Sequence, residues 1–143
     1  MHDVSQQMMA MQSLLMRRLM KGLEDTGVST GQPKVLAYLN SHEGKPQKEI
    51  AAACMLEPGS LTVLLNRMEK QGMIERGFRE GDRRTRRVYL TDHGRALAAR
   101  VIEEFYAVES LAFRGIPDSE RALFLRVCGE VLENLGGNDE ANK

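Results

Sequence analysis

Over residues 5–23 the apolar side chains fall at three- and four-residue steps. Met8, Met11, Leu15, Leu19 and Leu23 form one stripe, widened by Met9, Met16 and Met20. That period predicts an amphipathic helix whose apolar arc is too broad for a single neighbour to cover. Gly27 breaks the pattern. Ser29-Thr30-Gly31-Gln32 then has the Ser-x-x-Gln form of a capping box, in which side chains satisfy the orphan N–H groups of a helix start. It predicts a second helix to about Asn40, with Val35, Leu36 and Leu39 as its apolar positions. Residues 42–46 read as a connector. A short helix over 47–54 carries Ile50 and Ala51, and Met55-Leu56-Glu57-Pro58 reads as a tight turn. Pro58 suits the first turn of the next helix, where a missing N–H is harmless. That helix, over 59–71, carries Leu61, Leu64, Leu65 and Met68 and stops at Gly72.

Beyond Gly72 the period changes. Ile74-Glu75-Arg76-Gly77-Phe78 and Arg87-Val88-Tyr89-Leu90 alternate, which predicts a two-stranded hairpin with a long basic tip over 79–86. Thr91 can cap a long helix over 92–111, with Leu97, Val101, Phe105 and Val108 on one face. Gly115-Ile116-Pro117-Asp118 breaks it, and a last helix over 118–135 carries Leu123, Val127, Val131 and Leu135. Gly136-Gly137 ends that helix, and 138–143 is expected to be a disordered tail. The predicted class is mainly α with a small β-hairpin wing.

Composition narrows the function. The 143 residues suit one domain, and with no Trp and nine Met the interior must be aliphatic and Met-rich. No apolar run approaches the roughly 18–20 residues that span a bilayer, and the first residues lack the pattern of a leader, so a cytoplasmic protein without membrane contact is expected. Cys54 and Cys128 lie far apart and outside any Cys-x-x-Cys, and the three His show no ligand spacing, so neither a metal nor another cofactor is implied. No nucleophile–base pair or phosphate-binding glycine loop appears, which argues against an enzyme. The formal net charge is zero, but residues 67–90 hold eight basic and four acidic side chains, while 91–143 hold six basic and ten acidic. A local positive patch on a neutral protein can still neutralise phosphates.

Two helices joined by a tight turn can place the second in a DNA major groove, which a helix fills. On the helix over 59–71, Ser60, Thr62 and Asn66 stand opposite Leu61, Leu64, Leu65 and Met68. Short polar groups therefore face away from the apolar side, as base reading requires. Ser60 and Thr62 also suit a helix start in any fold. The hairpin shifts the balance. Arg79, Arg83, Arg84, Arg86 and Arg87 crowd one short segment, and arginine matches phosphate geometry and enters narrow minor grooves. Asp82 among them reads both as a brace for Arg84 or Arg86 and as a turn-former.

These residues resemble the MarR family of multiple-antibiotic-resistance-type regulators, from about Ser29 to Leu135. The run Asp82-Arg83-Arg84-Thr85-Arg86-Arg87-Val88-Tyr89-Leu90-Thr91-Asp92-His93-Gly94 is similar to the family's wing motif, in which Asp-x-Arg is followed by Leu-Thr-x-x-Gly. Leu65-Asn66-Arg67-Met68-Glu69-Lys70-Gln71-Gly72-Met73-Ile74-Glu75-Arg76 resembles the end of its recognition helix and the entry to its wing. The resemblance implies a winged helix-turn-helix with N- and C-terminal dimerisation helices. It divides the chain into a dimerisation helix over 1–28, a DNA-binding lobe over 29–91 and dimerisation helices over 92–137. It implies a homodimer on a pseudo-palindromic operator in double-stranded DNA, acting as a repressor released by a small apolar or phenolic effector or by oxidation. Ser60, Thr62, Asn66 and Arg67 would lie on the recognition helix, and Arg79, Arg83, Arg84, Arg86 and Arg87 on the wing. Val63 stands where many members carry Arg, and Pro46 where many carry Thr. Two other readings remain beside this one: a redox-responsive regulator using Cys54 or Cys128, and a winged-helix protein-interaction module that reads no DNA.

Overall fold

Asp3 accepts the Gln6 N–H at 2.9 Å and starts the first helix, α1 (Val4–Gly22), in a computed structural model that describes residues 3–136. The expected tail over 138–143 lies outside the described residues. α2 (Gln32–Ser41) follows, and only half of the capping box forms there. Gln32 Oε1 accepts the Ser29 N–H at 3.0 Å, while the cap position itself is Gly31, at φ +93° with no side-chain bond. Gln32 is fully buried, and its Nε2 donates at 2.8 Å to Gln71 Oε1. One polar side chain thus joins the start of α2 to the residue that ends the recognition helix.

The expected connector over 42–46 contains a strand. β1 (Lys45–Pro46) pairs antiparallel with Val88 and Arg87 and makes the hairpin a three-stranded sheet. Two residues are too few to show an alternating pattern, and proline is tolerated here because β1 is a sheet edge. α3 (Gln47–Ala53) and α4 (Pro58–Lys70) are joined by a turn in which Met55 sits at φ +56°. β2 (Ile74–Arg79) and β3 (Asp82–Leu90) complete the sheet in the order β1-β3-β2. The long basic tip expected over 79–86 is instead strand. The hairpin turn is only Glu80-Gly81, with Gly81 at φ +82°. Phe78 pairs with Arg86 and Arg79 with Asp82, so Arg83, Arg84 and Thr85 form a bulge on β3. A bulge twists a strand and re-aims its side chains, which keeps closely spaced like charges from lying flat beside one another.

Thr91 caps α5 (Asp92–Ala112) as expected, accepting the Gly94 N–H at 3.0 Å, and its hydroxyl donates to the Gly72 carbonyl at 2.5 Å. The Thr91 N–H donates to the Met73 carbonyl. This packing explains the glycine of the Leu-Thr-x-x-Gly frame, because a Cβ on Gly94 would overlap the Met73 carbonyl oxygen. A backbone oxygen tied into that junction cannot rotate away. Gly94→Ala is therefore expected to cost about 3 kcal/mol and to lower Tm by roughly 10 °C, read by thermal melting.

One continuous core runs from the end of α1 (Leu19, Leu23) through α2, α3 and α4 (Leu36, Ile50, Leu61, Leu65) to the sheet (Ile74, Val88, Leu90) and α5 (Leu97, Val101). Arg100 on α5 ties the loop after α1 to this lobe. It donates to the Asp25 carboxylate and to the Gly22 carbonyl, each at 3.3 Å, and holds the Asp25 carboxyl below the usual carboxylate range.

The periphery differs. The first two-thirds of α1 leaves Met8, Met9, Met11, Leu14 and Leu15 exposed. α6 (Asp118–Asn134) buries no residue at all, and Leu123, Phe124, Leu125, Val127 and Leu132 all face solvent in the protomer. At about 100° per residue these apolar positions cover roughly 200° of the helix circumference. α6 is held to the end of α5 by Phe124 packed edge-on to Phe113 at 5.6 Å and by Arg121, which lies over the Phe113 ring and pairs with Glu109 at 3.4 Å. The fold is mainly α with a small antiparallel sheet, a helix-turn-helix followed by a wing.

Candidate nucleic-acid interface

α4 turns Leu61, Leu65 and Met68 into the core and leaves Ser60, Thr62, Val63, Asn66 and Arg67 exposed. Its start has no side-chain cap: Glu57 precedes Pro58, and the Glu57 side chain makes no capping hydrogen bond. The N–H groups of that first turn and the positive end of the helix dipole favour an anion there. Val63, in the place of the arginine common in the resemblance, is 71% exposed and puts a methyl pair on the outer face.

Two of the outward polar groups are already engaged. The Thr62 hydroxyl donates to the Pro58 carbonyl at 3.0 Å and accepts from Gln47 Nε2 on α3 at 3.1 Å. With its proton and one of its two lone pairs occupied, the hydroxyl keeps one acceptor site, beside which Thr62 offers its methyl, the kind of surface that meets a thymine methyl. Asn66 Oδ1 accepts from Arg76 Nη1 of β2 at 2.7 Å.

The wing splits the arginines. Arg79, Arg83, Arg84 and Arg86 are exposed, and the Arg84 side chain is 96% so. Asp82 Oδ1 accepts the Arg84 N–H at 3.0 Å and lies 3.9 Å from Arg84 Nε, so Asp82 shapes the bulge through the backbone and meets the guanidinium only loosely. Arg87 is set apart. It is half-buried, its Nη1 donates to the Gly44 carbonyl at 2.9 Å, and its Nε is buried. It pins β1 and the preceding turn to β3.

Three other residues carry weight that the sequence pattern did not point to. Arg76 shares a strand face with buried Ile74, and a charge on a buried face was the readable signal. Phe78 stands exposed across the ladder from Arg86, placing an aromatic ring among the wing cations. Glu43 Oε1 accepts the Leu90 N–H at 3.0 Å and pairs with Arg95 Nη2 at 2.7 Å, which locks the α2–β1 turn to the base of the wing. An open, polar cleft of about 500 Å³ lies there, lined by Glu43, Glu75, Tyr89, Asp92 and Arg95.

Cys54 is buried in the core, with Sγ 3.7 Å from the Lys34 carbonyl. Burial pushes its thiol up from the ordinary range, which disfavours the thiolate, and the Lys34 charge offsets this in part. Cys128 is half-buried on α6. Among the described residues, no three His, Cys, Asp or Glu side chains cluster as metal ligands, and no helix is long and apolar enough to cross a membrane.

The MarR family model matches residues 26–85, from the approach to α2 through the wing bulge. The HTH-type transcriptional regulator PecS of Dickeya dadantii (strain 3937) is 32% identical over 129 residues, 87% of this chain and 77% of that protein. The chain belongs to the MarR family. A MarR-family transcriptional regulator from Silicibacter pomeroyi matches it with a TM-score of 0.78 at 28% identity, over 91% of this chain and 88% of that one. The MarR fold extends further than sequence likeness. A putative MarR family regulator from Listeria monocytogenes, solved in complex with a 26mer DNA, reaches a TM-score of 0.89 at 17% identity, over 99% of this chain and 93% of that one. The protein is therefore a MarR-family, DNA-binding transcriptional regulator with a winged helix-turn-helix.

Proposed function

We propose that the protein works as a homodimer that represses transcription by binding a pseudo-palindromic operator, and that a small apolar or phenolic molecule releases it. The observation that carries the DNA reading is the pairing of two exposed elements. α4 offers short side chains and an uncapped helix start, and the wing offers Arg79, Arg83, Arg84 and Arg86 free of buried partners. The first would read bases in the major groove, with Ser60, Thr62, Asn66 and Arg67 as the contact residues. The second would neutralise phosphates and enter the minor groove, with Asp82 holding the bulge in shape. Arg87 would serve the same wing from its base.

The dimer reading rests on α6 and the first two-thirds of α1. An apolar arc this wide, left uncovered in the protomer, is the mark of an interface. In this division residues 1–28 and 92–137 would build the dimer around a DNA-binding lobe over 29–91. The exposed methionines of α1 suit an adaptable apolar effector, since methionine re-packs readily. The site of action would be the cytoplasm. The redox alternative draws little from Cys54, whose burial disfavours the thiolate. A pure protein-interaction wing leaves the four exposed arginines without a purpose.

A nuclease footprint on the DNA upstream of the protein's own gene tests this reading. Protection of one segment of about two helical turns, disappearing as salt is raised, is expected. Uniform protection, or none at low salt, would contradict it.

A further inference from the structure

We infer that Arg76 fixes the amide of Asn66 so that the recognition helix offers hydrogen-bond donors to guanine at one position of each half-site; this rests on the DNA-binding reading above. Arg76 projects from β2 on the same strand face as buried Ile74, and its side chain is only 7% exposed. Nη1 donates to Asn66 Oδ1 at 2.7 Å, and Glu69 Oε1, also on α4, lies 3.8 Å from the same nitrogen. Nε and Nη2 are buried with no hydrogen-bond partner among the described residues.

That last fact bears on purpose. A buried guanidinium with two unsatisfied nitrogens is a poor way to fill space, and an apolar side chain of like volume would serve stability better. What the arginine does that an apolar residue cannot is hold the Asn66 oxygen. Arginine carries only donors, so the amide atom facing it is the oxygen, and the orientation of Asn66 is settled by chemistry. Its Nδ2 group has no partner among the described residues and stays available on the exposed face of α4.

The consequence is a choice of base. Asparagine reads adenine through both ends of its amide, accepting from N6 and donating to N7. Here a charged donor takes one of the oxygen's two lone pairs and holds that end of the amide toward β2, so the Nδ2 end is the one left to face a base. The two Nδ2 hydrogens meet an edge made of acceptors, and in the major groove guanine supplies N7 and O6 side by side. Arg76 is thus a positioning residue, and Asn66 is the group that would touch the base.

The test is enrichment of a random-sequence duplex pool by the full chain and three variants, with thermal melting alongside. Wild type is expected to enrich a guanine at one position per half-site, and 7-deazaguanine there should weaken binding about tenfold. Asn66→Asp keeps the Arg76 pair but offers only acceptors, and should move that position to cytosine, whose N4 donates. Arg76→Met should lose the preference at that position alone. Arg76→Lys should largely keep it, because a single donor is all that Asn66 uses. If Arg76→Met fails to fold, the exposed Asn66→Asp variant still decides. Adenine at that position, or an Asn66→Asp motif identical to wild type, overturns the inference while leaving DNA binding intact. So does an Arg76→Met protein that melts normally and retains the guanine. A wild type that enriches no motif overturns both this inference and the reading beneath it.

Discussion

Replacing Arg83, Arg84 and Arg86 together by alanine is expected to flatten the salt dependence of DNA binding and to weaken it about a thousandfold or more at 0.15 M salt. All three side chains are exposed on β3, and replacing them removes no packing from the lobe. In a dimer each contributes twice. If each neutralises one phosphate, the slope of log K against log salt falls in magnitude by about 5. The loss should be nearly equal on every duplex, because phosphate contacts carry no sequence information. Arg87→Ala should behave differently. Its guanidinium holds the Gly44 carbonyl, so its removal should lower thermal stability more than it changes the salt slope. Fluorescence anisotropy across salt, with a melting curve for each variant, separates the two. An unchanged slope in the triple variant would remove the wing from the binding surface.

The second large effect concerns assembly. Leu125 is 74% exposed in the protomer, and Leu132 lies two turns along the same edge of α6. Leu125→Asp with Leu132→Asp should leave the lobe folded, since neither belongs to its core. Burying a leucine is worth about 1.5–3 kcal/mol, and a carboxylate forced into the same place adds its desolvation. Sedimentation should show the wild type as a dimer and the variant as a monomer at micromolar concentration. Affinity for a two-half-site duplex should then fall by roughly 10²–10⁴-fold, the gain that linking two half-sites provides. Binding to an isolated half-site should change little. A variant that remains dimeric would place the interface elsewhere.

These expectations were unevenly legible in the sequence. The helices α1, α4 and α5 could be placed to within a residue or two, because long amphipathic stripes and the Thr91 cap are local signals. β1 was not, since Lys45 and Pro46 form a strand only because β3 runs beside them. The arginine cluster was visible as composition, but its geometry was not. The bulge over Arg83, Arg84 and Thr85, and the inward turn of Arg87, depend on pairing across the hairpin and with Gly44. Asn66 is legible from its place opposite the apolar stripe, whereas its bond to Arg76 spans ten residues and two elements. Family membership could be read from the Asp-x-Arg and Leu-Thr-x-x-Gly frame. The reason for its last glycine, the Met73 carbonyl packed against Gly94, needed the fold.

Two copies of this chain are expected to read DNA together, each through α4 and its wing. Enrichment of a random-sequence duplex pool by the wild-type protein tests this most directly. The expected motif is an inverted repeat whose half-sites are centred about one helical turn, or a multiple of it, apart. A motif without two-fold symmetry, or no enrichment over the starting pool, would contradict it.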